Sequence, residues 1–341
     1  MQKALVLEKA GEPFVVKDAA IPKADAGELL VKVHSVALNP IDWKIQKGMP
    51  FGIDFPVILG QDIAGDVQDV GQGVTSFKKG DRVFFQNRFG QTGGGFQQYV
   101  ISSAATTALI PSNVSYDEAA TVPLVLSTAY VGLYNKLPYG LGIAPPSQIV
   151  GSFAGLPFVI LGGSSSVGQM AIQLAKLSGF SPVIATASSA HTDCLKALGA
   201  TNVIDRRLSW EALSAQVSDI LNGKEIKYAF DCVGEQSTQQ IGLSLLSSGG
   251  QLATVRPPLV AAPPNKAVIR VLGQLRAPEN VQLLEDLYQN RATRYLKSGV
   301  IKPNRVEVLN GGLSGIPDGL ARLEANRVSM VKLVVHPQET A

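Results

Sequence analysis

The stretch Leu161-Gly162-Gly163-Ser164-Ser165-Ser166-Val167-Gly168 has the residue types of a phosphate cradle. It follows an apolar, strand-like run, Phe158-Val159-Ile160-Leu161, and opens a helical pattern in which Val167, Met170, Ala171, Leu174 and Leu177 share one face. Glycine lets the backbone turn tightly and come close to a pyrophosphate, and a helix N-terminus offers unpaired N–H groups and a partial positive charge. Gly163, Ser164, Ser165, Ser166, Val167 and Gly168 are therefore candidate cofactor-binding residues. The end of the next strand, Thr186-Ala187-Ser188-Ser189-Ala190-His191, carries no acid where an NAD enzyme places one for the ribose 2′-hydroxyl. An acid repels a 2′-phosphate, whereas small hydroxyl side chains donate to it. Ser188, Ser189 and His191, with the charge of Arg206 or Arg207 after the third strand, thus point to NADPH. The same serines also suit a cap on the helix that follows.

A cradle of this kind needs a parallel sheet behind it, and the sequence predicts one. From about residue 128 short apolar runs alternate with helical segments: 158–161, 183–186, 203–204, 228–233, 251–255 and 268–272 read as strands, with Gly179, Gly199 and Gly223 closing helices between them. Six strands joined by helices call for a doubly wound sheet. The first ~125 residues read differently, with the period-2 alternation of Val31-Lys32-Val33-His34-Ser35-Val36 and glycine breakers at 71, 73 and 80. After about residue 273 the rhythm weakens to a helix over 279–298 and a last strand, Lys332-Leu333-Val334-Val335. Ser115-Tyr116-Asp117-Glu118 reads as a capping box, while Asn39-Pro40 also suits a turn and Ser127/Thr128 also suits a helix start.

Composition bounds the rest. The chain has 341 residues, 45% hydrophobic and 17% charged, enough for a large core and for about two domains, and it excludes disordered, collagenous and coiled-coil classes. Thirty Lys and Arg against 27 Asp and Glu are scattered without a basic run, which gives nucleic acid no support. No apolar run approaches the ~18 residues that span a bilayer, and the N-terminus lacks a signal-peptide pattern, so the expectation is a soluble cytoplasmic protein. The two cysteines, Cys194 and Cys232, build no disulfide framework, and with three histidines they offer no metal-ligand spacing.

The chain resembles the medium-chain dehydrogenase/reductase superfamily over nearly its whole length, and within it the zinc-free branch of quinone oxidoreductases and fungal trans-acting enoyl reductases. The resemblance rests on Asn39-Pro40-Ile41-Asp42-Trp43-Lys44, Gly60-Gln61-Asp62 with Gly65, Gly71 and Val74, Gly95-Phe96-Gln97-Gln98-Tyr99-Val100, Ala119-Ala120 with Pro123 and Thr128-Ala129, the glycine-serine loop, and Phe230-Asp231-Cys232-Val233-Gly234. It implies an α/β fold: a GroES-like β-rich catalytic domain over 1–127, a Rossmann NADP(H)-binding domain with a doubly wound parallel sheet over 128–273, and a segment over 274–341 returning to the catalytic domain. The zinc-dependent members carry Gly-His-Glu where this chain has Gly60-Gln61-Asp62, and a cysteine where it has Asn39, so no metal is expected.

The resemblance also implies roles. A zinc-free relative acts on substrates whose acceptor carbon is already electrophilic, such as quinones or double bonds conjugated to a carbonyl. Hydride added to the β-carbon leaves an enolate to be stabilised and protonated. Lys44, in the run that faces the nicotinamide in the resembling enoyl reductases, is the leading candidate for that donor. Its alternative is a solvated lysine or a contact to a cofactor phosphate or ribose. Asn39 and Thr128 are expected beside the reaction, Asn39 and Asp42 around the nicotinamide, and Val255, Val328 and Ser329 along the cofactor. The resulting expectation is an NADPH-dependent reductase of unsaturated carbonyl or enoyl substrates, small or carrier-bound, working as monomer or homodimer. The alternatives are a quinone reductase and an NADPH-binding protein without turnover.

Overall fold

The computed structural model describes residues 1–87, 93–146 and 153–341. Along the chain the first elements are strands β1 (Gln2–Leu7), β2 (Val15–Ala19) and β3 (Glu28–Ala37), helix α1 (Pro40–Gln46), strands β4 (Val57–Ile58), β5 (Asp62–Val70), β6 (Arg82–Gln86), β7 (Tyr99–Ser103) and β8 (Thr107–Leu109), and helix α2 (Tyr116–Ala120). There follow α3 (Pro123–Tyr134), β9 (Phe158–Leu161), α4 (Ser166–Leu177), β10 (Val183–Ala187), α5 (Thr192–Leu198), β11 (Asn202–Asp205), α6 (Trp210–Leu221), β12 (Tyr228–Asp231), α7 (Gln236–Leu245), β13 (Gln251–Thr254) and β14 (Ala267–Arg270). The last are α8 (Val281–Asp286), α9 (Thr293–Ser298), β15 (Arg305–Val308), α10 (Ile316–Glu324) and β16 (Val331–Val335), with a π-helical stretch Leu287–Ala292 joining α8 to α9.

These elements form two compact units, one of residues 1–124, 284–299 and 303–341, the other of 125–283 and 300–302. In the first, a seven-stranded sheet runs β15-β16-β3-β5-β6-β8, with β7 also paired to β3, beside a three-stranded sheet β2-β1-β4. The alternation in β3 does what a half-buried strand requires: Val31 and Val33 are buried while Lys32 and His34 between them are only partly covered. They join Leu5, Ile63, Phe85, Phe96 and Leu333 in one core. Strand β16 pairs antiparallel with β3, Val334 opposite Ala37 and Val335 opposite Val36, so β16, with β15 beyond it, extends the sheet formed by the first part of the chain.

The second unit holds a six-stranded parallel sheet in the order β11-β10-β9-β12-β13-β14. The fully buried run Phe158 to Leu161 makes β9 a central strand. Its neighbours β10 and β12 lie on opposite sides, so the chain reverses its direction of progress at β9 and opens a crevice at the carboxyl ends of β9 and β12. The helix predicted after the glycine loop is present as α4, with Met170, Ala171 and Leu174 buried. Ser127 and Thr128 do not start a helix: α3 begins at Pro123, a residue suited to a first helical position, and carries both in its interior. Among the described residues no helix is long and apolar enough to cross a membrane.

Helix α2 has the predicted capping box, Glu118 N donating to Ser115 Oγ and Ser115 N to Glu118 Oε2. Histidine–aspartate pairs dock it on the sheet. His34 Nε2 lies 2.8 Å from Asp66 Oδ2 and its ring stacks on Tyr116, while His336 bridges Asp117 at 2.8 Å and Glu339 at 2.9 Å. Burial works against a charge on His336, but the hydrogen bonds to Glu339 and Asp117 outweigh it and raise its pKa above the ordinary 6.5. The stabilisation is therefore full at pH below the unfolded value and is lost as pH rises through the folded one. In thermal melts, His336→Gln is expected to lower Tm most near about pH 5.5 and by a steadily smaller margin toward about pH 8.5; a deficit independent of pH would show that His336 acts through packing alone.

Candidate active site

Helix α1 has seven residues, too few to hold itself in water, so tertiary ties must fix it. Proline at the first position suits its start. Asp42 turns back to accept from Asn39 N at 2.8 Å and also takes Gly60 N at 3.2 Å. Gly60 has φ +87°, and a Cβ there would meet the ring of the buried Phe96 at 2.4 Å, so only glycine lets the chain bring Asp62 in at this point. The Asn39 side chain does not cap its own helix. Its Nδ2 donates to Asp62 Oδ2 at 2.9 Å, and its Oδ1 accepts from Lys332 Nζ at 2.7 Å. Lys332 Nζ also donates to Asp62 Oδ2 at 2.6 Å, and Asp62 Oδ1 accepts from Leu124 N in the first turn of α3. Lys332 is 4% exposed and Asp62 0%, so this is an ion pair withdrawn from water with each charge hydrogen-bonded.

Asp42 lies beside this pair. Burial pushes its carboxyl up to about 7, against the lowering pull of the amides of Asn39 and Gly60; Asp62 adds to the rise and Lys332 opposes it. The fold thus keeps on Asp42, up to near neutrality, a proton that the unfolded chain releases at far lower pH, and the resulting stabilisation is lost as pH rises through about 7.

These contacts give two of the expected site residues a structural duty. Asp42 is fully buried with both carboxylate oxygens on backbone amides, so it fastens α1. Asn39 is 2% exposed with both ends of its side-chain amide engaged by Asp62 and Lys332. Lys44, on the same helix, is half-buried, its ammonium 5.7 Å from the centre of the Trp43 ring. Val328 and Ser329 also belong to the first unit, Val328 against its core and Ser329 exposed, just ahead of the strand that delivers Lys332. Lys332 was absent from the candidates the sequence offers. Its one signal is a charged residue inside Val331-Lys332-Leu333-Val334-Val335, a strand lodged between two others.

The other candidates gather in the second unit. Ser165 caps α4, its Oγ accepting from Gly168 N at 3.0 Å. That leaves the N–H groups of Ser166 and Val167, in the first turn, without an intrahelical carbonyl and aimed where a phosphate would lie. Gly162 N and Gly163 N are held by Thr186, through its Oγ1 at 3.1 Å and its carbonyl at 2.8 Å. A Cβ on Gly168 would stand 2.3 Å from Gly162 O, so the loop can close on the helix only with glycine there. At the far end of β10, Ser188 and His191 are half-exposed and Ser189 is exposed. Arg207 forks onto Asp205, 2.8 Å at the nearest, whereas Arg206 next to it is exposed. On the other side of the crevice, Asp231 accepts from Val233 N and Gly234 N, both at 3.0 Å, and fixes the turn after β12. Val255 continues β13 with its amide on Asp231 O. Thr128, 9% exposed, faces Gly273, where a Cβ would come within 2.3 Å of its hydroxyl. Cys232 is buried, which pushes its thiol well above the ordinary range and makes it a packing group. The open helix N-terminus, the glycine-only approach and the crevice suit a nicotinamide dinucleotide.

Residues 25–112 match the alcohol dehydrogenase GroES-like domain and residues 166–265 the zinc-binding dehydrogenase family. A trans-enoyl reductase of Talaromyces wortmannii, TwmE, is 32% identical over 354 aligned positions that cover 94% of each chain. The chain belongs to the medium-chain dehydrogenase/reductase superfamily. Trans-enoyl reductase fsr4 of Gibberella fujikuroi is 36% identical over 70% of each chain, and an alcohol dehydrogenase superfamily protein from Novosphingobium aromaticivorans has the same fold, with TM-score 0.83, 26% identity and 98% of this chain covered. This medium-chain dehydrogenase/reductase is accordingly an oxidoreductase. The zinc implied by one family name does not fit its residues. Gln61 donates its amide to Asn87 O at 3.2 Å, Asn39 offers an amide already engaged, and a lysine ammonium lies between Asn39 and Asp62 where a ligand set would need a metal. Among the described residues no group of three or more His, Cys, Asp or Glu is placed to hold a metal ion.

The glycine loop yields a direct check. Gly168→Ala is expected to weaken dinucleotide binding by roughly tenfold or more, the loss of one hydrogen bond to a charged phosphate, as read by fluorescence titration. Unchanged affinity would mean that the loop accommodates the methyl group and that the close approach of Gly168 to Gly162 is not required.

Proposed function

We propose that this protein is an NADPH-dependent reductase of carbon–carbon double bonds conjugated to a carbonyl, working without a metal. The observation that carries the reading is the buried Lys332–Asp62–Asn39 cluster, in which a lysine ammonium lies between Asn39 and Asp62, with the half-buried Lys44 on the helix that Asn39 begins. A site so built has no Lewis acid with which to polarise an alcohol, so its substrate must bring its own electrophilic carbon. Trans-enoyl reductases among the relatives support the same substrate class.

When bound, the reduced nicotinamide supplies the hydride that adds to the β-carbon. The electron pair of the double bond moves to the carbonyl oxygen as an enolate, and a proton at the α-carbon completes the saturated product. Lys44 holds the enolate oxygen through its ammonium and supplies that proton, directly or through water. Thr128, backed by Gly273, is a positioning hydroxyl. Arg206, with Ser188 and Ser189, selects the 2′-phosphate, because Arg207 is already engaged by Asp205.

The test is NADPH oxidation at a wavelength of about 340 nm in chelator-treated buffer with an enone, an enoyl thioester and a quinone. Reduction of the enone or thioester is expected, with Lys44→Ala losing about a hundredfold or more in kcat while NADPH still binds. Consumption of the quinone alone, unaffected by Lys44→Ala, would replace this reading with quinone reduction. In parallel, Arg206→Ala is expected to raise the Kd for NADPH by about tenfold and leave that for NADH unchanged. Equal effects on both would remove Arg206 from 2′-phosphate recognition.

A further inference from the structure

We infer that Lys332 is a positioning residue for the reaction: by tying Asn39 to Asp62 it fixes the start of α1 and hence the place of Lys44. The inference rests on the role given to Lys44 above. Three observations lead to it. Helix α1 is too short to stand alone. Asn39, the residue at its N-terminal boundary, directs its side chain away from the helix onto Lys332 and Asp62, so the start of the helix is anchored to strands β16 and β5. The far end is held by Gly11 N donating to Gln46 O at 2.5 Å, by Gln46 Nε2 donating to Glu12 O at 3.3 Å, and by an exposed ion pair at 3.3 Å between Lys47 and Glu324 on α10. Asp42, which holds Gly60 N, fastens the same end of the helix as Asn39, and the tie at Asn39 is the one that runs through the cation of Lys332.

The cluster also gathers hydrogen bonds. Asp62 is fully buried and accepts at once from Asn39, from Lys332 and from the amide of Leu124. One lysine therefore holds both the helix that bears Lys44 and the first turn of α3.

The test uses the full chain as Lys332→Arg, Lys332→Met/Asp62→Leu and Asn39→Ala. The double variant removes both charges, which folds tolerate better than a lone buried charge, and Asn39→Ala cuts the same tie from the helix side with the ion pair left in place. Hydrogen–deuterium exchange of a peptide over residues 39–48, with a peptide over α4 as internal reference, reads the anchoring of α1 without any substrate. Exchange in the first peptide is expected to accelerate about tenfold or more in the double variant and in Asn39→Ala, with α4 unchanged. Enone turnover is expected to fall about tenfold or more at unchanged Kd for NADPH, Lys332→Arg to retain most of it, and Lys44→Ala to cost less in the Asn39→Ala background than in wild type. Unchanged exchange of α1 in Asn39→Ala overturns the inference, and so does full turnover despite a loosened α1, or a Lys44→Ala loss of equal size in both backgrounds. Should the wild type consume only quinone, the functional reading falls while the exchange result still judges the anchoring by Lys332.

Discussion

A cation and a carboxylate buried together, Lys332 and Asp62, are the contact on which the first unit's functional geometry depends. Neither charge could be tolerated alone in a core of valine, isoleucine and phenylalanine. Together, and with Asn39 completing the hydrogen bonds, they form a rigid polar node to which β5, β16, the start of α1 and the first turn of α3 are all attached. Such a pair adds little net stability compared with an apolar replacement, because desolvation offsets most of the attraction. What it confers is direction: hydrogen bonds fix angles, and dispersion contacts do not.

The second unit reaches its order by other means. Among the described residues no buried ion pair organises the glycine loop there. Thr186 holds its two glycine amides through its hydroxyl and its carbonyl, Ser165 caps the helix with its hydroxyl, and the Asp231 carboxyl gathers the amides of the opposite turn. A loop built in this way presents N–H groups at fixed positions with no side-chain charge of its own, which suits a ligand that carries the charge. The two units therefore divide the electrostatics, with a fixed cation and anion in one and unneutralised backbone dipoles in the other.

Local patterns were the legible part. The face shared by Val167, Met170, Ala171 and Leu174, the capping box at Ser115 and the alternation of β3 each depend on residues within a turn or two of one another, and each is present in the structure. The glycine loop was recognisable for the same reason. The duties of Asn39 and Asp42 were not, because their type and spacing suited a cofactor contact as well as an anchor, and the deciding partners Asp62 and Lys332 lie far along the chain. The helix start that Ser127 and Thr128 could also have made falls instead at Pro123, the stronger signal. Lys332 stood in plain view as a lysine in an apolar strand, yet only the pairing of β16 with β3 shows which carboxylate it meets.

The separation of these partners bears on how the chain is made. Lys332 meets Asn39 across 293 residues and Asp62 across 270, with the whole of the second unit encoded between. As the chain leaves the ribosome, the parallel sheet around β9 can assemble from contacts near in sequence, while the β-rich part waits with an unpaired carboxylate and an open sheet position beside β3. Its completion falls to β16, which emerges after the second unit. A nascent chain cut short before β16 would thus carry a finished cofactor fold and an exposed, ill-formed partner, the kind of species that cellular quality control recognises and removes.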